Sequence, residues 1–444
     1  MTRRSRSAFY NIHRSRFESK STYTARMAAP LHGSAARYTI EKIVSGGYGL
    51  ARTDKGVALI AGALPGELVE AALQPKKGRL EGRTLKVLEA SPARVPFARD
   101  TPPTANLAHA SYEAQLTYKR LFVVEALERI AKLEAEVLPT HPSPEQWRYR
   151  NGAQYVVTAD GVGYRQPGTH KAQLITVDPL TTELIGDGLR DLDPEKLVPS
   201  GEIAFRASLS TNEVLACLIG LGKPRDFFAA RKHLEELGVA GVSFAFATLE
   251  GRFRAGVTPL FGKENILETY GDYDLSVSAS SFAQVNPLAA GELYRAAVGL
   301  IGTGDACVDL YGGSGGLAFH LAQAYQRVTV VEINPDAVER GEADGQRLGI
   351  ERVQFQRGDA AQISSLEADL ISLDPPRAGL SPEALEVVVN AGAPKILYVS
   401  CDPATWARDV ARLNRGGYKL THVQPWDFYP QTSHVEVLSL LELE

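Results

Sequence analysis

The stretch "VDLYGGSGGLAF", residues 308–319, decides the fold of the carboxyl-terminal part of the chain. A strand-like apolar run passes into a glycine-rich turn, and an apolar helical segment follows. In open parallel sheets this succession of strand, turn and helix is where nucleotide-like ligands bind. Glycines there let the backbone approach a ligand closely. The stretch therefore predicts a sheet edge with a binding loop.

Around this stretch, from about Ser280 onward, strands and helices alternate in regular order. The alternation predicts a mostly parallel seven-stranded sheet with helices on both faces. The predicted strands are "DACVDLYGG", "RVTVVEIN", "VQFQRGD", "ADLISLDPP" and "PKILYVSCDP", with "KLTHVQPWDFY" and "HVEVLSLLE" as a final pair.

Polar side chains at the strand ends indicate the cofactor. Tyr311 precedes the glycines as a possible flat contact, and Glu332 ends the next strand, where a carboxylate can accept hydrogen bonds from both hydroxyls of a ribose. Asp359 ends the third strand and is placed for an adenine edge. Glycines 312, 313, 315 and 316 fit no G-x-G-x-x-G register. The pattern therefore favours S-adenosylmethionine over a nicotinamide cofactor.

Two further strand ends carry candidate chemistry. Asp374 precedes two prolines in "LDPPRAGL", which fix the backbone beyond the fourth strand. Cys401 ends the next strand, and Pro403 stops that strand before a helix. A lone cysteine at a strand end is more often packing than catalysis. Beside a cofactor the interpretation of Cys401 as a nucleophile is favoured, whereas Cys217 and Cys307 lie in apolar settings typical of packing residues.

A thiolate beside a methyl donor suggests a specific chemistry. Carbon 5 of a uracil is a poor nucleophile until a thiolate adds to carbon 6. After methyl transfer a base must remove the carbon 5 proton. Glu436 on the last strand is the candidate base, with His434, on the same strand face if both residues are extended, as a structural or assisting residue.

The chain is predicted to comprise four segments. Residues 1–36 form a basic, disordered tail, within which Met27 is a possible true start, and residues 37–92 form a small antiparallel β-barrel. Residues 93–279 form a central α+β domain, and residues 280–444 carry the cofactor and the candidate nucleophile. A basic stretch in the barrel segment is either an RNA contact or a solvated turn; it comprises Lys76, Lys77, Arg79, Arg83 and Lys86.

Composition limits the classes of function. A net charge of −4 and a pI near 6.2 exclude a surface that is basic throughout, so any nucleic-acid contact must come from local patches. Three cysteines far apart in sequence form no disulfide framework. No apolar run is long enough to cross a bilayer. We expect a cytoplasmic protein, a monomer, without a membrane span.

Six ordered motifs carry a resemblance to a known family. From about Arg37 to its end, the chain resembles RNA 5-methyluridine (uracil-C5) methyltransferases, which are S-adenosylmethionine-dependent. The segment 37–92 resembles a TRAM domain, an RNA-binding module, and "AHASYEAQLTYKR" and "YRNGAQYVV" resemble the family's central domain. The six motifs are "SFAQVNPLAAGELY", "DLYGGSGGL", "VVEINPDAVERG", "LDPPRAGL", "YVSCDPATWARDV" and "FYPQTSHVEV".

The resemblance implies a class I, Rossmann-like methyltransferase domain acting on structured RNA, with ribosomal RNA favoured and transfer RNA possible. It implies Cys401 as nucleophile and Glu436 as proton acceptor. The implied S-adenosylmethionine contacts are Gln284, Tyr311, Glu332 and Asp374. Gly316 stands where some relatives have Asn.

One departure from the family concerns an iron–sulfur cluster. Many relatives bind one through four cysteines, whereas this chain has three scattered cysteines in all. The corresponding positions hold Pro102, Pro103, Thr104 and Ala105, and later Asp178. We therefore expect no iron–sulfur cluster and no metal.

Two other functions stay open on the sequence. An acidic residue before two prolines, as at Asp374, can also position an exocyclic amine, which suits an amino-group RNA methyltransferase that needs no cysteine. A non-catalytic RNA-binding factor could retain the same fold. The presence of both Cys401 and Glu436 argues against the non-catalytic RNA-binding factor.

Overall fold

The computed structural model describes residues 35–76, 78–96, 101–166, 171–198, 200–248, 253, 256–363 and 366–444. The predictions for residues 1–34, including Met27 as a start, and for Lys77 lie outside them. The chain forms two compact units: the first runs to Tyr118 and includes Gln431–Ser433, and the second comprises Lys119–Pro430 and His434–Glu444. The division into four segments predicted from the sequence stays a prediction.

The first unit contains a six-stranded sheet in the order β1-β5-β6-β4-β3-β2. Most pairs are antiparallel, but β4 and β6 are parallel, because β5 lies between them in sequence and pairs antiparallel with β6. Among the described pairs, the sheet departs from the expected antiparallel pairing only at β4 and β6. Its small core includes Ile40, Ile60 and Val69. The strands are β1 (Ala36–Thr39), β2 (Lys42–Val44), β3 (Tyr48–Thr53), β4 (Gly56–Ala61), β5 (Leu68–Lys76) and β6 (Arg79–Glu89).

The basic stretch of this unit is partly neutralised by an acidic side chain. Glu81 accepts hydrogen bonds from Lys76 at 2.7 Å and from the Arg79 guanidinium at 2.6 Å. Within the described part of the stretch, these two cations are therefore engaged, and Arg83 and Lys86 carry the remaining positive charge.

The central part of the second unit has its own seven-stranded sheet, in the order β13-β12-β11-β10-β7-β8-β9, and a β14-β15 hairpin. The strands are β7 (Gly152–Thr158), β8 (Gly161–Arg165), β9 (Ala172–Leu174), β10 (Ser200–Ser208), β11 (Glu213–Gly220), β12 (Gly241–Phe246), β13 (Val257–Gly262), β14 (Ile266–Tyr270) and β15 (Tyr273–Val277). The helices are α1 (Tyr112–Ala126), whose residues from Lys119 belong to this unit, α2 (Glu183–Gly186), α3 (Pro194–Leu197) and α4 (Phe228–Glu236).

The carboxyl-terminal part confirms the predicted mostly parallel seven-stranded sheet. Its order is β18-β17-β16-β19-β20-β22-β21, and only the pairs that involve β22 are antiparallel. The strands are β16 (Gly304–Leu310), β17 (Tyr325–Glu332), β18 (Val353–Arg357), β19 (Leu370–Leu373), β20 (Lys395–Ser400), β21 (Tyr418–Trp426) and β22 (Glu436–Leu443). The helices are α5 (Pro287–Ile301), α6 (Gly316–Leu321), α7 (Pro335–Leu348), α8 (Pro382–Ala391) and α9 (Pro403–Arg415).

Both faces of this sheet are buried. Along β20, Ile396 and Tyr398 belong to one apolar cluster, and Leu397 and Val399 belong to the other. Successive side chains of a strand point to opposite faces, so a strand covered on both sides is apolar throughout. Burying these residues is the main stabilisation of the sheet, at roughly 1.5–3 kcal/mol for each large side chain.

Four helices of this part begin with the same local chemistry. A polar side chain accepts a hydrogen bond from a backbone N–H of the first turn, and a proline occupies the first helical position. Each cap fixes the residue at which the preceding loop ends and the helix begins. The capping residues are Asn286, Asn334, Ser381 and Asp402.

Within the ranges described, no helix is long and apolar enough to cross a membrane. The expectations of a cytoplasmic location and a monomeric state stay predictions.

Candidate active site

The glycine-rich turn after β16 has an unusual backbone. Tyr311, Gly313 and Gly315 all have positive φ angles, of 64°, 57° and 88°. A tyrosine in this region costs conformational energy, which is typical of functional turns. A Cβ added at Gly313 would meet nothing within 4 Å. The turn therefore leaves open space for a ligand beside its backbone.

Glu332 is tied to this turn. It is the last residue of β17, and its carboxylate accepts hydrogen bonds from the backbone N–H of Gly313 at 3.1 Å and of Asn334 at 2.7 Å. Each carboxylate oxygen has a second lone pair, so the group is held in place and still able to accept from a ligand hydroxyl.

Asp359 has a local role in the structure. It follows β18 by two residues and caps a short turn by accepting a hydrogen bond from the Ala361 N–H at 2.9 Å. Its predicted contact with an adenine stays a prediction.

Gln284 lies in the loop before α5 and is nearly buried. Its backbone carbonyl accepts a hydrogen bond from the Tyr270 hydroxyl at 2.9 Å. Arg206, also buried, donates to the Ser281 carbonyl at 3.2 Å and to Asn151 at 2.9 Å. These bonds from the central part fix the loop that carries Gln284.

Two carboxyl groups, the buried Asp309 and the partly buried Asp374, lie where β16 and β19 end. Burial, with a smaller contribution from the charge of Glu332, raises the pKa of Asp309 to about 7, and Ser372 opposes that change. Burial, and then the charge of Asp309, raise the pKa of Asp374 to about 7. Asp309 supports the loop, because a Cβ at Gly312 would lie 2.4 Å from its Oδ2.

Cys401 and Glu436 are brought together by strand register. Ser400 pairs with Val437 in the antiparallel β20-β22 ladder, so the next positions along that register are Cys401 and Glu436. Side chains directly opposite each other in such a ladder have Cβ atoms about 4.5–5.5 Å apart. The register places the thiol and the carboxyl side by side where β20 ends.

The environment of the pair disfavours its charged forms. Burial, followed by the charge of Glu436, raises the pKa of the Cys401 thiol to about 11. Burial and the charge of Asp374 raise the pKa of Glu436 well above its usual range. Among the described residues, Glu436 Oε2 has no hydrogen-bond partner. A buried carboxyl with an unpaired oxygen is typical of a functional site.

Sequence reasoning missed Arg377 and left His434 as a secondary residue. The Arg377 guanidinium donates a hydrogen bond to His434 Nδ1 at 3.3 Å, and Arg377 opposes the increases in the pKa values of both Cys401 and Glu436. Its position after the two prolines in "DPPR" was the available signal. His434 precedes β22, so the two residues do not share a strand.

Cys217 and Cys307 lie inside β11 and β16, and both are buried. Burial raises the pKa of Cys217 to about 11 and that of Cys307 well above its usual value. Neither thiol is placed at the strand ends where Cys401 lies.

Asp178, which the resemblance places where relatives carry a cluster cysteine, takes part in ordinary hydrogen bonds. Asp178 is buried and accepts from the hydroxyls of Tyr155 at 3.0 Å and Tyr164 at 2.5 Å, and from the Leu180 N–H at 3.0 Å. In the part of the chain that the structure describes, no group of three or more metal-ligating side chains is arranged to hold a metal ion. The absence of a cluster stays a prediction from the cysteine count.

Comparison with known proteins identifies the family. Residues 341–444 match the sequence model described as tRNA (uracil-5-)-methyltransferase. An uncharacterized RNA methyltransferase of Halalkalibacterium halodurans is 33% identical, over 95% of this chain and 100% of its own length. Another from Lactobacillus johnsonii is 31% identical, over 89% of this chain and 95% of its own length.

A solved structure agrees over most of the chain. The Pyrococcus abyssi tRNA (uracil-54, C5)-methyltransferase, in complex with S-adenosyl-L-homocysteine, superposes with a TM-score of 0.71 at 25% identity. The match covers 91% of this chain and 100% of that one. The chain therefore belongs to the RNA methyltransferase family that the tRNA (uracil-5-)-methyltransferase model describes.

Proposed function

We propose that this enzyme transfers a methyl group from S-adenosylmethionine to carbon 5 of a uridine in structured RNA. The observation that carries the proposal is the pairing of Cys401 with Glu436, side by side at the edge where the glycine-rich turn and Asp374 also lie. A thiol, a carboxyl and a cofactor turn are the three groups that carbon 5 methylation requires.

The turn suits S-adenosylmethionine. The space beside Gly313 admits a ligand, Glu332 is held where it can accept from ribose hydroxyls, and Tyr311 and Asp374 follow the strands that end at the same edge. Gln284 is the remaining cofactor contact that the resemblance implies. Asp359 is the residue proposed for the adenine. When bound, the cofactor supplies an electrophilic methyl group. Support for its use also comes from S-adenosyl-L-homocysteine in the Pyrococcus abyssi enzyme.

Cys401 starts the reaction as a thiolate. Its sulfur forms a bond to carbon 6 of the uracil, and the electron pair of the carbon 5–carbon 6 double bond moves toward the O4 oxygen. Carbon 5 thereby gains the nucleophilic character that it lacks in the free base. It would then take the methyl group of S-adenosylmethionine, whose methyl–sulfur bond breaks to leave S-adenosylhomocysteine, and the uracil at this stage is saturated at carbons 5 and 6.

Glu436 completes the reaction as the base. Its carboxylate accepts the carbon 5 proton, the electron pair of that C–H bond re-forms the double bond, and the carbon 6–sulfur bond breaks to return the Cys401 thiolate. The buried position of Glu436 suits it to remove the carbon 5 proton, because a raised pKa makes its carboxylate a stronger base.

The substrate must present its base outside a helix, since the target atoms of a stacked base are inaccessible. Loops of structured RNA provide such bases. We propose that RNA contacts two parts of the chain. One is the six-stranded amino-terminal sheet, which resembles an RNA-binding module, and the other is the central part. That likeness favours ribosomal RNA, whereas the Pyrococcus abyssi enzyme is named for transfer RNA.

Mass spectrometry of nucleosides from ribosomal and transfer RNA of a deletion strain tests the substrate. We expect one 5-methyluridine to be lost, and to be restored by the wild-type gene but not by C401A. The control is cofactor affinity, which C401A should retain. Methylation that persists with C401A, or that falls on an exocyclic amino group, would contradict the proposal.

A further inference from the structure

Buried residues of the central part hold the backbone of the loop that carries Gln284. The Tyr270 hydroxyl donates a hydrogen bond to the Gln284 carbonyl at 2.9 Å, and the Asn151 N–H donates one to the Val285 carbonyl at 2.8 Å. Tyr270 and Asn151 are both almost inaccessible to solvent. The position of the Gln284 side chain, the implied cofactor contact, therefore depends on residues outside its own loop.

Arg206, in β10, contacts the same loop from a buried position. Its guanidinium donates through Nη2 to the Ser281 carbonyl at 3.2 Å and through Nη1 to the Asn151 side-chain oxygen at 2.9 Å. The Asn151 amide in turn donates to the Glu268 carboxylate at 3.1 Å. Asn151 thus bridges a buried cation and a buried carboxylate, and Arg206 links this bridge to the loop.

The position of Arg206 has a cost in stability. Among the described residues its Nε has no hydrogen-bond partner, and a buried polar group without a partner is destabilising. Replacing a buried charge by a well-packed apolar side chain of similar volume is often neutral or stabilising. A buried arginine that directs its donors at the loop of Gln284 is therefore better explained by a positioning role than by packing.

We propose that Arg206 is a positioning residue for cofactor binding, which sets the loop backbone through the Ser281 carbonyl and Asn151 so that the Gln284 side chain contacts S-adenosylmethionine. Because the proposed function makes Gln284 a cofactor contact, the inference rests on that function. Arg206 acts through Gln284, so its effect on cofactor affinity is limited to the share that Gln284 contributes. For one hydrogen bond that share is about two- to tenfold.

Binding of S-adenosylhomocysteine, measured by calorimetry, tests the inference without any methyl transfer. Q284A should weaken binding about two- to tenfold, and R206M should weaken it by up to the same factor. The double variant R206M/Q284A should bind no more weakly than Q284A, because Arg206 then has no cofactor contact to position. R206K keeps the charge but lacks the forked donors, so its affinity should lie between those of wild type and R206M.

A matched pair of glycine variants displaces the guanidinium without removing it. A Cβ at Gly152 would lie 2.8 Å from Arg206 Nη1, so G152A should weaken binding in the same direction as R206M. G201A, in the same strand as Arg206, is the control. Its Cβ would meet only the Ile219 carbonyl, at 3.7 Å, and its affinity should equal that of wild type.

Urea denaturation verifies that each variant is folded. The affinity of R206M decides if that variant folds, and the affinity of G152A decides if it does not. Wild-type affinity in the deciding variant, while Q284A binds weakly, would overturn the inference and leave the proposed function intact. So would a double variant weaker than Q284A by the full factor of R206M, since the two residues would then act independently. Wild-type affinity in Q284A would instead overturn the cofactor contact in the proposed function.

Discussion

The buried ion pair between Lys119 and Asp427 offers the strongest test of the second unit's architecture. Both side chains are fully inaccessible to solvent. Lys119 Nζ contacts the Asp427 carboxylate and donates to the Tyr429 carbonyl at 3.0 Å, and that carboxylate accepts from the Tyr429 N–H at 3.1 Å. The pair ties α1 to the turn that follows β21.

Lys119→Met removes the cation and leaves the Asp427 carboxylate buried without its counter-charge. Breaking one side of a buried pair typically costs 3–5 kcal/mol, because the remaining charge is not solvated. Oδ2 of Asp427 already lacks a hydrogen-bond partner among the described residues, so little local compensation is available. We expect a loss of about 3–5 kcal/mol in the free energy of unfolding, measured by urea denaturation.

The double variant K119M/D427N removes both charges and should regain about half of that loss or more. R295M is the control, since Arg295 and Asp272 form an exposed pair whose removal should change stability by less than about 1 kcal/mol. A loss below about 1 kcal/mol for K119M, or a double variant less stable than K119M, would show that the buried pair does not stabilise this unit.

Three further predictions concern the site and its support. E436Q should still form the bond between Cys401 and unmodified RNA but release it slowly, so that a covalent complex accumulates on denaturing gels; wild-type turnover would contradict this. The pKa of Asp309 is raised from 3.8 to about 7, so the stability it contributes is present below pH 4 and is lost as the pH rises through 7. D309N should therefore gain up to about 4 kcal/mol over wild type at pH 8 and nothing at pH 3.5, as urea titrations at the two pH values would show. G312A should lose about 1–3 kcal/mol, because its Cβ would lie 2.4 Å from Asp309 Oδ2, whereas G299A, in an open and exposed helical position, should gain up to about 1 kcal/mol in the same assay.

The carboxyl-terminal sheet could be predicted from the sequence because its strands are buried on both faces and therefore read as continuous apolar runs. The sites at their ends followed from one rule, that the carboxyl ends of parallel strands meet at one edge. Glu332, Asp374 and Cys401 were found this way. The antiparallel register that sets Glu436 opposite Cys401 depends on the long-range pairing of β20 with β22, which no local pattern specifies.

Other features had no reliable local signal. Lys119 lies on a helix where a lysine usually faces water, and its burial depends on Asp427, which is 308 positions away. Asp309 is a charged residue within an apolar strand, and sequence alone does not say which face it takes. The parallel pairing of β4 with β6 follows from the path of the chain around β5, not from the alternation that indicated the strands.

The most direct test of the central claim is a covalent complex with RNA that contains 5-fluorouridine. Fluorine at carbon 5 cannot leave as a proton, so the bond from Cys401 to carbon 6 should persist after methyl transfer. We predict a cofactor-dependent adduct of enzyme and RNA that maps by peptide mass spectrometry to Cys401 and is absent from C401A. An enzyme that makes 5-methyluridine yet forms no adduct, or forms it at another residue, would contradict the account.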